Sequence, residues 1–255
     1  MPILHHLESA DLPVVSTCDG WTIHEYPSVA STNLVAAGLP AWTAVRANSQ
    51  TAGRGRFQRT WVSDLGGLWL SAVVPTARNT NARRTLPLAA GLAICNSLRE
   101  LGVSGLRLRW PNDVLVKDQK LAGLLIDQFS PDVAVVGIGL NVANQPETCD
   151  PALRNRTTRL ADLLPSQPEL MTLTALVLRN VQKVLTDLDL SGGAALFSRV
   201  NALWAGPRMV ELDLDGTLAR GLFTGVDETG RLVLSDSEGK ITYYDAHQVR
   251  HLTEI

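Results

Sequence analysis

The 255-residue chain contains few cysteines, few aromatic residues and no surplus of either charge. Its three cysteines, Cys18, Cys95 and Cys149, are odd in number and scattered, so we expect reduced thiols in a cytoplasmic protein rather than a disulfide framework. A formal net charge of −2 at pH 7 gives no reason to expect a general affinity for nucleic acid or for anionic membranes.

The sequence also lacks a long apolar run and a recognisable metal motif. The longest apolar stretch, Ala134–Leu140, is far too short to cross a bilayer, which takes ~20 residues. Residues 1–13 have neither a basic start nor a long apolar core, so we expect no secretion signal. The histidines show no partner at metal-ligand spacing, so no zinc site is expected at any of them: His5, His6, His24, His247 and His251.

Apolar residues make up 45% of the chain, which is enough for a sizeable core in one large domain, or in one large and one small domain. Helical spacing predicts a short helix after Ser31, with a hydroxyl cap and Gly38 at its end, and longer helices over 88–101 and Met171–Leu188. Strand patterns cover the segments Trp42–Ala47, Gly67–Val74, Leu106–Trp110, Val114–Lys117, Leu121–Asp127 and Val133–Leu140. A hairpin turn is predicted at Asp118-Gln119, between two of these strands.

The composition changes at Ala205-Gly206-Pro207, which we interpret as a domain boundary. Short β segments with glycine turns follow, a spacing typical of a small β-barrel: Met209–Leu214, Leu218–Thr224, Leu232–Ser235 and Ile241–Tyr244. The predicted division is a larger domain over residues 1–205 and a smaller one over 206–255.

An arginine–glycine stretch, Gly53-Arg54-Gly55-Arg56 with Arg59, is the first segment that indicates chemistry. Glycines let a backbone approach a ligand closely and offer its N–H groups, while arginines supply forked donors that match phosphate or carboxylate. Like charges this close repel one another unless an anion lies among them. A solvated basic loop, or an RNA-binding one, is the alternative interpretation.

A second segment runs from Arg109-Trp110-Pro111-Asn112-Asp113 to Lys120-Leu121-Ala122-Gly123. An Asn-Asp pair at a turn is usually only a turn former, and a lysine that opens a strand is usually solvated. Lys120 differs because it stands directly before an apolar run, where its ammonium could be held at the edge of the sheet.

The third segment is Gly137-Ile138-Gly139-Leu140-Asn141. Its Gly-x-Gly spacing is shared with dinucleotide-binding loops, but the third glycine is replaced by Val142. A buried strand whose glycines permit close packing explains it equally well, with Asn141 as a strand terminator.

Together and in this order, the segments resemble the biotin–protein ligase family, closely over about residues 25–145 and in outline over the C-terminal β segments. The matching motifs are Ser31-Thr32-Asn33, Gln50–Arg56 with Arg59 and Trp61, Gly66-Gly67-Leu68 with Ser71, Trp110–Asp113, Lys120–Gly123 and Gly137–Asn141. The resemblance implies an α+β fold with a mixed β-sheet, helices packed mainly on one face, and an SH3-like C-terminal barrel.

The resemblance implies two half-reactions. The biotin carboxylate attacks the α-phosphate of ATP, with Mg2+, to give biotinyl-5′-AMP and pyrophosphate. A lysine of the biotin carboxyl carrier protein of acetyl-CoA carboxylase then displaces AMP. Such a protein is expected to be a monomer or homodimer in the cytoplasm, without nucleic-acid or membrane partners.

The resemblance also implies roles for residues at matching positions. Lys120, Arg56 and Asp113 are the expected catalytic residues. The expected biotin-binding residues are Ser31, Thr32, Asn33, Gln50, Gly53, Arg54, Gly55, Arg56, Lys120 and Gly123, and those for ATP or the adenylate are Arg56, Arg59, Trp61, Asn112, Lys120 and Asn141. The loop 53–60 is expected to be mobile and to close over the intermediate. Two departures are Arg109, where many members carry lysine, and Phe57-Gln58, which interrupts a loop that is often more basic.

Three rival interpretations remain. A lipoate–protein ligase or octanoyltransferase shares the related fold, but the Gly53–Arg56 loop and the Trp110–Asp113 motif favour biotin. A biotin-responsive DNA-binding repressor needs an N-terminal helix-turn-helix domain, and too few residues precede Ser31 in this sequence for three helices. A non-catalytic RNA-binding protein gives no reason for Lys120.

Overall fold

The structure is a computed structural model that describes residues 12–76 and 82–255. Most of the segment on which we based the absence of a secretion signal, and both His5 and His6, lie outside these residues. Helix α1 spans Thr32–Ala36, α2 spans Ala82–Glu100 and α3 spans Leu170–Asn201. The strands of the larger sheet are β1 Val14–Cys18, β2 Trp21–Val29, β3 Thr43–Gln50, β4 Leu68–Pro75, β5 Leu106–Arg109, β6 Asp113–Val116, β7 Gln119–Asp127 and β8 Val133–Leu140.

Among the described residues, the larger sheet has eight strands in the order β1-β2-β3-β4-β8-β7-β6-β5. Strands β2 and β3 pair in parallel, whereas the remaining neighbours pair antiparallel, so the sheet is mixed as predicted. Helices α2 and α3 pack on one face over alternate strand residues such as Ala72, Leu124 and Val136. The short α1 packs on the opposite face, against a small cluster that includes Val73 and Val135.

Strand alternation leaves the α1 face of the central strands with unusually small residues. Residue Ser71 pairs with Gly137 between β4 and β8, and Gly123 pairs with Gly139 between β7 and β8. The two long helices cover the other face, so this floor of small residues is where a ligand can lie against the sheet.

Three local predictions were wrong in detail. Ser31 occupies the N-cap position of α1, but its side chain makes no capping hydrogen bond. The β6–β7 turn lies at Lys117-Asp118, both left-handed, rather than at Asp118-Gln119, and Lys120 is therefore the second residue of β7. Helix α3 continues past the predicted end at Leu188, because packing of residues such as Leu196 and Phe197 outweighs the cost of its internal glycines.

The C-terminal strands are β9 Arg208–Asp213, β10 Leu218–Val226, β11 Leu232–Ser235, β12 Ile241–Tyr244 and β13 His251–Glu254. They form an antiparallel sheet in the order β12-β11-β10-β9-β13, the compact β unit expected from the glycine turns. Glu254 on β13 accepts hydrogen bonds from Arg107 on β5 and from Arg208, which ties this sheet to the larger one. The boundary at residue 205 stays a prediction.

The cysteines Cys18, Cys95 and Cys149 are all free thiols. Within residues 12–76 and 82–255, no helix is both long enough and apolar enough to cross a membrane.

Candidate active site

A cavity of about 260 Å³ lies on the α1 face of the larger sheet and brings the predicted site residues together. The residues predicted from sequence that line it are Ser31, Thr32, Asn33, Gln50, Arg54, Gly55, Arg56, Arg59, Trp61, Asn112, Asp113, Lys120, Gly123 and Asn141. Gly53 does not line it. That glycine packs behind the wall, so close to the hydroxyl of Ser63 and the carbonyl of Trp61 that a side chain would overlap both.

One end of the cavity is uncharged and is held by short hydrogen-bonded side chains. Gln50 Oε1 accepts from the backbone N–H of Thr32 at 2.9 Å and from its hydroxyl at 3.1 Å, while Gln50 Nε2 donates to Ser63 Oγ at 2.8 Å. Ser71 Oγ lies 2.7 Å from the Thr32 hydroxyl and 2.6 Å from Asn33 Oδ1. Each member orients the next, so this end has a defined shape and a set of fixed donors and acceptors.

Trp61 forms the wall between the two ends of the cavity. Its indole lies directly on Gly123 and Gly139, where a Cβ on either glycine would overlap the ring. The Lys120 ammonium lies 4.9 Å from the ring centroid, within cation–π range. The indole Nε1–H of Trp61 is buried and has no hydrogen-bond partner among the described residues. A ligand in the cavity could accept a hydrogen bond from it.

The opposite end is charged and is organised around one carboxylate. Asp113 bridges two cations: its Oδ1 lies 2.6 Å from Lys120 Nζ and its Oδ2 lies 2.7 Å from Arg109. Burial raises the pKa of Asp113, but the Lys120 ammonium and the Arg109 guanidinium outweigh burial, so the net pKa is lowered and the group is an anion at neutral pH.

The backbone of Lys120 is fixed on both sides. Its N–H donates to the Arg156 carbonyl at 2.8 Å, and its carbonyl accepts from the Thr158 N–H at 3.0 Å. The ammonium stands at the end of a four-carbon stem that is a quarter exposed. Lys120 thus combines a backbone fixed by hydrogen bonds with a partly exposed ammonium, and movement of that ammonium into the cavity stays a prediction.

The arginine loop has partners that the sequence did not reveal. The guanidinium of Arg56 donates to the Ala246 and Val249 carbonyls, the second at 3.0 Å, and that of Arg59 donates to the Arg250 carbonyl at 3.4 Å. Phe57 is in the left-handed region and lies between the guanidinium groups of Arg56 and Arg250. The segment between β12 and β13 therefore supplies backbone acceptors to the loop.

Burial also changes the acidity of this loop. It lowers the pKa of the Arg56 guanidinium to about 10; the Asp113 carboxylate works in the opposite direction and Arg59 in the same direction. Arg56 remains a cation at neutral pH, and the cost of burying it is reduced when an anion comes close. The predicted mobility of residues 53–60 stays a prediction.

Two asparagines predicted to bind the nucleotide have structural partners. Asn112 Nδ2 donates to the Leu124 carbonyl at 2.6 Å, and the Leu124 N–H donates back to the Asn112 carbonyl at 2.9 Å. Asn141 is buried; its Nδ2 donates to the Thr158 carbonyl at 3.2 Å and its Oδ1 accepts from Asn144. Their ligand contacts stay predictions.

Sequence reasoning missed the C-terminal residues Val249–Leu252, which complete the wall of the cavity, and Ser63, which hydrogen-bonds to the wall residue Gln50. No local motif marks them, because Ser63 is recognised only through its contact with Gln50. The C-terminal residues reach the site only through the packing of β13.

Comparison with known proteins gives concordant results. The model of the biotin/lipoate A/B protein ligase family matches residues 26–142. The biotin–[acetyl-CoA-carboxylase] ligase of Mycobacterium tuberculosis is 35% identical over 217 residues, which cover 81% of this chain and 77% of that protein. The bifunctional ligase/repressor BirA of Bacillus subtilis is 29% identical over 218 residues, and the match covers 81% of this chain but only 66% of that longer protein.

Among solved structures, a biotin protein ligase from Aquifex aeolicus in complex with biotin and ATP superposes with a TM-score of 0.81 at 26% identity. The match covers 91% of this chain and 99% of that one, so it extends into the C-terminal sheet. The family inferred from the motifs and the α+β fold are therefore both confirmed.

Proposed function

The chain belongs to the biotin/lipoate A/B protein ligase family, and on that premise we propose that it activates biotin with ATP and transfers it to a lysine of a biotin carboxyl carrier protein. The observation that carries the proposal is the two-ended cavity. Its hydrogen-bonded, uncharged end suits a cyclic urea and an aliphatic tail. Its cationic end suits a carboxylate that must meet a phosphate.

The first half-reaction brings two anions together, the biotin carboxylate and the α-phosphate of ATP. Lys120, Arg56 and Arg59 are the cations whose charge offsets this repulsion. Attack of a carboxylate oxygen on the α-phosphorus forms the mixed anhydride, and pyrophosphate leaves with the electron pair of the broken P–O bond. Negative charge that develops on the α-phosphate draws the Lys120 ammonium away from Asp113 and toward the phosphate.

Asp113 has a positioning role in this proposal. Between Lys120 and Arg109, its carboxylate keeps two like charges within reach of the same phosphate without mutual repulsion. It is the one carboxylate among the described residues that line the cavity.

The arginine loop excludes water from the intermediate in this proposal. A mixed anhydride hydrolyses readily, so a closed cavity keeps it for the acceptor lysine. Arg56 holds the loop against the carbonyls of Ala246 and Val249, and its guanidinium faces the cavity at the same time.

The described residues do not form a binding site of their own for the expected Mg2+. Asp113 is neutralised by Lys120 and Arg109, and the part of the chain that the structure describes contains no cluster of three metal-binding side chains. A Mg2+ ion brought in with ATP would therefore depend on phosphate oxygens and water, which suits its coordination preferences.

Lipoate activation is the second candidate, because the matching family includes lipoate ligases by its own description. The acids differ in their rings: biotin carries a urea, whereas lipoate carries an apolar disulfide ring. The Thr32–Gln50–Ser63 hydrogen-bonded chain places polar groups at this end that suit a urea, whereas the apolar disulfide ring of lipoate could not hydrogen-bond to them.

The deciding experiment incubates the protein with ATP, Mg2+ and a biotin carboxyl carrier domain, with biotin or lipoate, and measures the intact mass of the carrier. A mass gain of one biotin minus one water with biotin alone supports the proposal. Transfer of lipoate and not biotin would support the second candidate. No gain with biotin would contradict the proposal.

A further inference from the structure

His251 lies in the cavity wall although no sequence motif includes it. It is the first residue of β13, opposite Asp213 of β9. The imidazole lines the same cavity as Lys120 and Asp113 and is also exposed to solvent. A group that reaches both the cavity and the outside is well placed to meet an acceptor that enters from solvent.

The charged groups around the imidazole locate it at the charged end of the cavity. Arg59 from the loop, Arg109 from β5, Asp113 from β6 and Asp213 from β9 all act on it electrostatically. The neighbouring Arg250 is engaged elsewhere, with Asp215 and the Phe57 ring. His251 therefore faces the place where the proposed reaction forms and breaks its anhydride.

Elimination leaves His251 as a base. Among the described residues that line the cavity, the other ionisable groups are arginines, Lys120 and Asp113. Lysine and arginine are cations at neutral pH and cannot accept a proton. Asp113 has a lowered pKa and keeps its ion pair with Arg109 when Lys120 moves toward the phosphate, so it is a poor acceptor.

We propose that His251 accepts the proton released when the acceptor lysine attacks the acyl adenylate, a role that rests on the proposed function. The lysine ammonium first loses one proton to solvent. Its neutral Nζ then bonds to the acyl carbon, the second proton passes to an imidazole nitrogen, and the C–O bond to phosphate breaks. AMP leaves with that electron pair, and the products are an amide and an imidazolium that returns its proton to water.

The protonation state of His251 suits this role. Burial lowers its pKa, Arg59 and Arg109 lower it further, and Asp113 and Asp213 oppose them, with a net pKa below the ordinary 6.5. The imidazole is neutral at pH 7 and becomes unable to accept a proton as the pH falls through its pKa.

The test separates the two half-reactions in the full-length protein with His251 changed to Asn. Biotin-dependent exchange of pyrophosphate into ATP reports activation, and transfer from supplied biotinyl-adenylate to the carrier reports the second half. We expect unchanged exchange and a transfer rate lower by about 10²-fold, the lower end of what one positioned acid–base group contributes. His24→Asn, on β2 and outside the cavity, is the matched control and should leave both rates unchanged.

Hydroxylamine and pH provide readouts that a merely structural role would not move. Hydroxylamine is a far weaker base than lysine, so its adduct with the acyl adenylate loses a proton to water readily. The reaction with hydroxylamine should therefore be equally fast in the parent and in the Asn variant. In the parent, transfer to lysine should fall more steeply below the pKa of His251 than above it. The Asn variant should lack this added fall.

Equal transfer rates in parent and variant would overturn the inference, as would an equal loss in exchange or in the hydroxylamine reaction. A loss confined to exchange would instead assign His251 to phosphate binding. Normal exchange in the variant also reports that it is folded; should it fail to fold, His251→Gln is tested in the same assays. If the parent neither exchanges pyrophosphate nor modifies the carrier, the proposed function fails, which is a different outcome.

Discussion

The two ends of the cavity differ in how their polar groups are partnered. At the uncharged end, the side chains of Thr32, Gln50, Ser63 and Ser71 form a hydrogen-bonded chain, and all of these residues except Ser63 lie in a strand or a helix. At the charged end, Asp113 forms ion pairs with both Lys120 and Arg109. The loop arginines Arg56 and Arg59 donate hydrogen bonds to backbone carbonyls.

One cavity can thereby combine selection of the acid with the chemistry of its activation. The uncharged end is a preorganised frame that discriminates by shape and by the fixed positions of its polar groups. The charged end carries excess positive charge that only an anion can balance, so its favourable interactions grow as negative charge develops. Changes at the charged end should therefore reduce rates, whereas changes at the uncharged end should reduce affinity for the acid.

The largest effect is expected from Lys120→Met. Methionine keeps most of the stem and removes the charge, so the protein should fold normally yet lose on the order of 10²–10³ in adenylation rate, the scale for one preorganised electrostatic donor. Pyrophosphate exchange measures the first half-reaction and transfer from supplied adenylate measures the second. Exchange should fall more than transfer.

Lys117→Met is the matched control, because Lys117 is exposed in the β6–β7 turn. It should leave both rates unchanged. Equal loss of exchange and transfer in Lys120→Met would mean that the ammonium only holds the intermediate. Near-normal exchange would mean that Lys120 is an ordinary solvated lysine, and it would weaken the proposed function.

The next effect is expected from Arg56→Gly, which removes the hydrogen bonds to Ala246 and Val249. Loss of two hydrogen bonds from a charged donor costs about 3 kcal/mol, so bound biotinyl-adenylate should escape on the order of 10² faster. The escaped adenylate should label lysines of a bystander protein, which mass spectrometry detects. Retention as tight as in the parent would contradict closure by this loop; Arg154→Gly, exposed and outside the cavity, is the control.

A smaller effect is expected from Gly137→Ala at the uncharged end. The added methyl group would press on Asn33, which is buried between Ser71 and Asp127. Overpacking of this size costs ~1.4 kcal/mol or more, so affinity for biotin should fall on the order of tenfold. The rate at saturating biotin and the KM for ATP should stay unchanged; a loss of rate with unchanged biotin KM would contradict the division between the ends.

The sequence predicted the fold and most of the residues that line the cavity. It did not predict the long-range contacts between segments that are far apart in the chain. Strands such as β8 are recognisable because their apolar runs are buried on both faces, and the glycine and arginine motifs carry their own chemistry. Strands β1 and β2 were missed because residues such as Thr17, Thr22 and Glu25 give them no continuous apolar pattern. The contact of Arg56 with Val249 joins residues 193 positions apart, and no local pattern encodes that.

The same limit applies to the partners of individual site residues. Asp113 was recognisable as part of a motif, yet its position between Lys120 and Arg109 depends on the β6–β7 hairpin and on a bulge after Val114. Asn112 and Asn141 illustrate the reverse, since a motif that suggests ligand contact also provides hydrogen bonds to the protein backbone.

The smallest expected effect is that of Ser63→Ala, which tests the frame at the uncharged end. Ser63 accepts from Gln50 Nε2 and donates to the Trp61 carbonyl at 3.0 Å, so alanine leaves the Gln50 amide one partner short. Loss of one such bond costs about 1 kcal/mol, so the free energy of unfolding should fall by about 1 kcal/mol and the affinity for biotin should fall a few-fold, while pyrophosphate exchange at saturating biotin is kept. Urea unfolding and a biotin titration measure the two quantities. Ser49→Ala, which removes an exposed hydroxyl that donates to Ser28, is the matched control and should change neither. A drop in the saturated exchange rate would show that the two ends are coupled, because a lost hydrogen bond at the frame would then have moved Trp61, and with it the ammonium of Lys120 that lies over its ring.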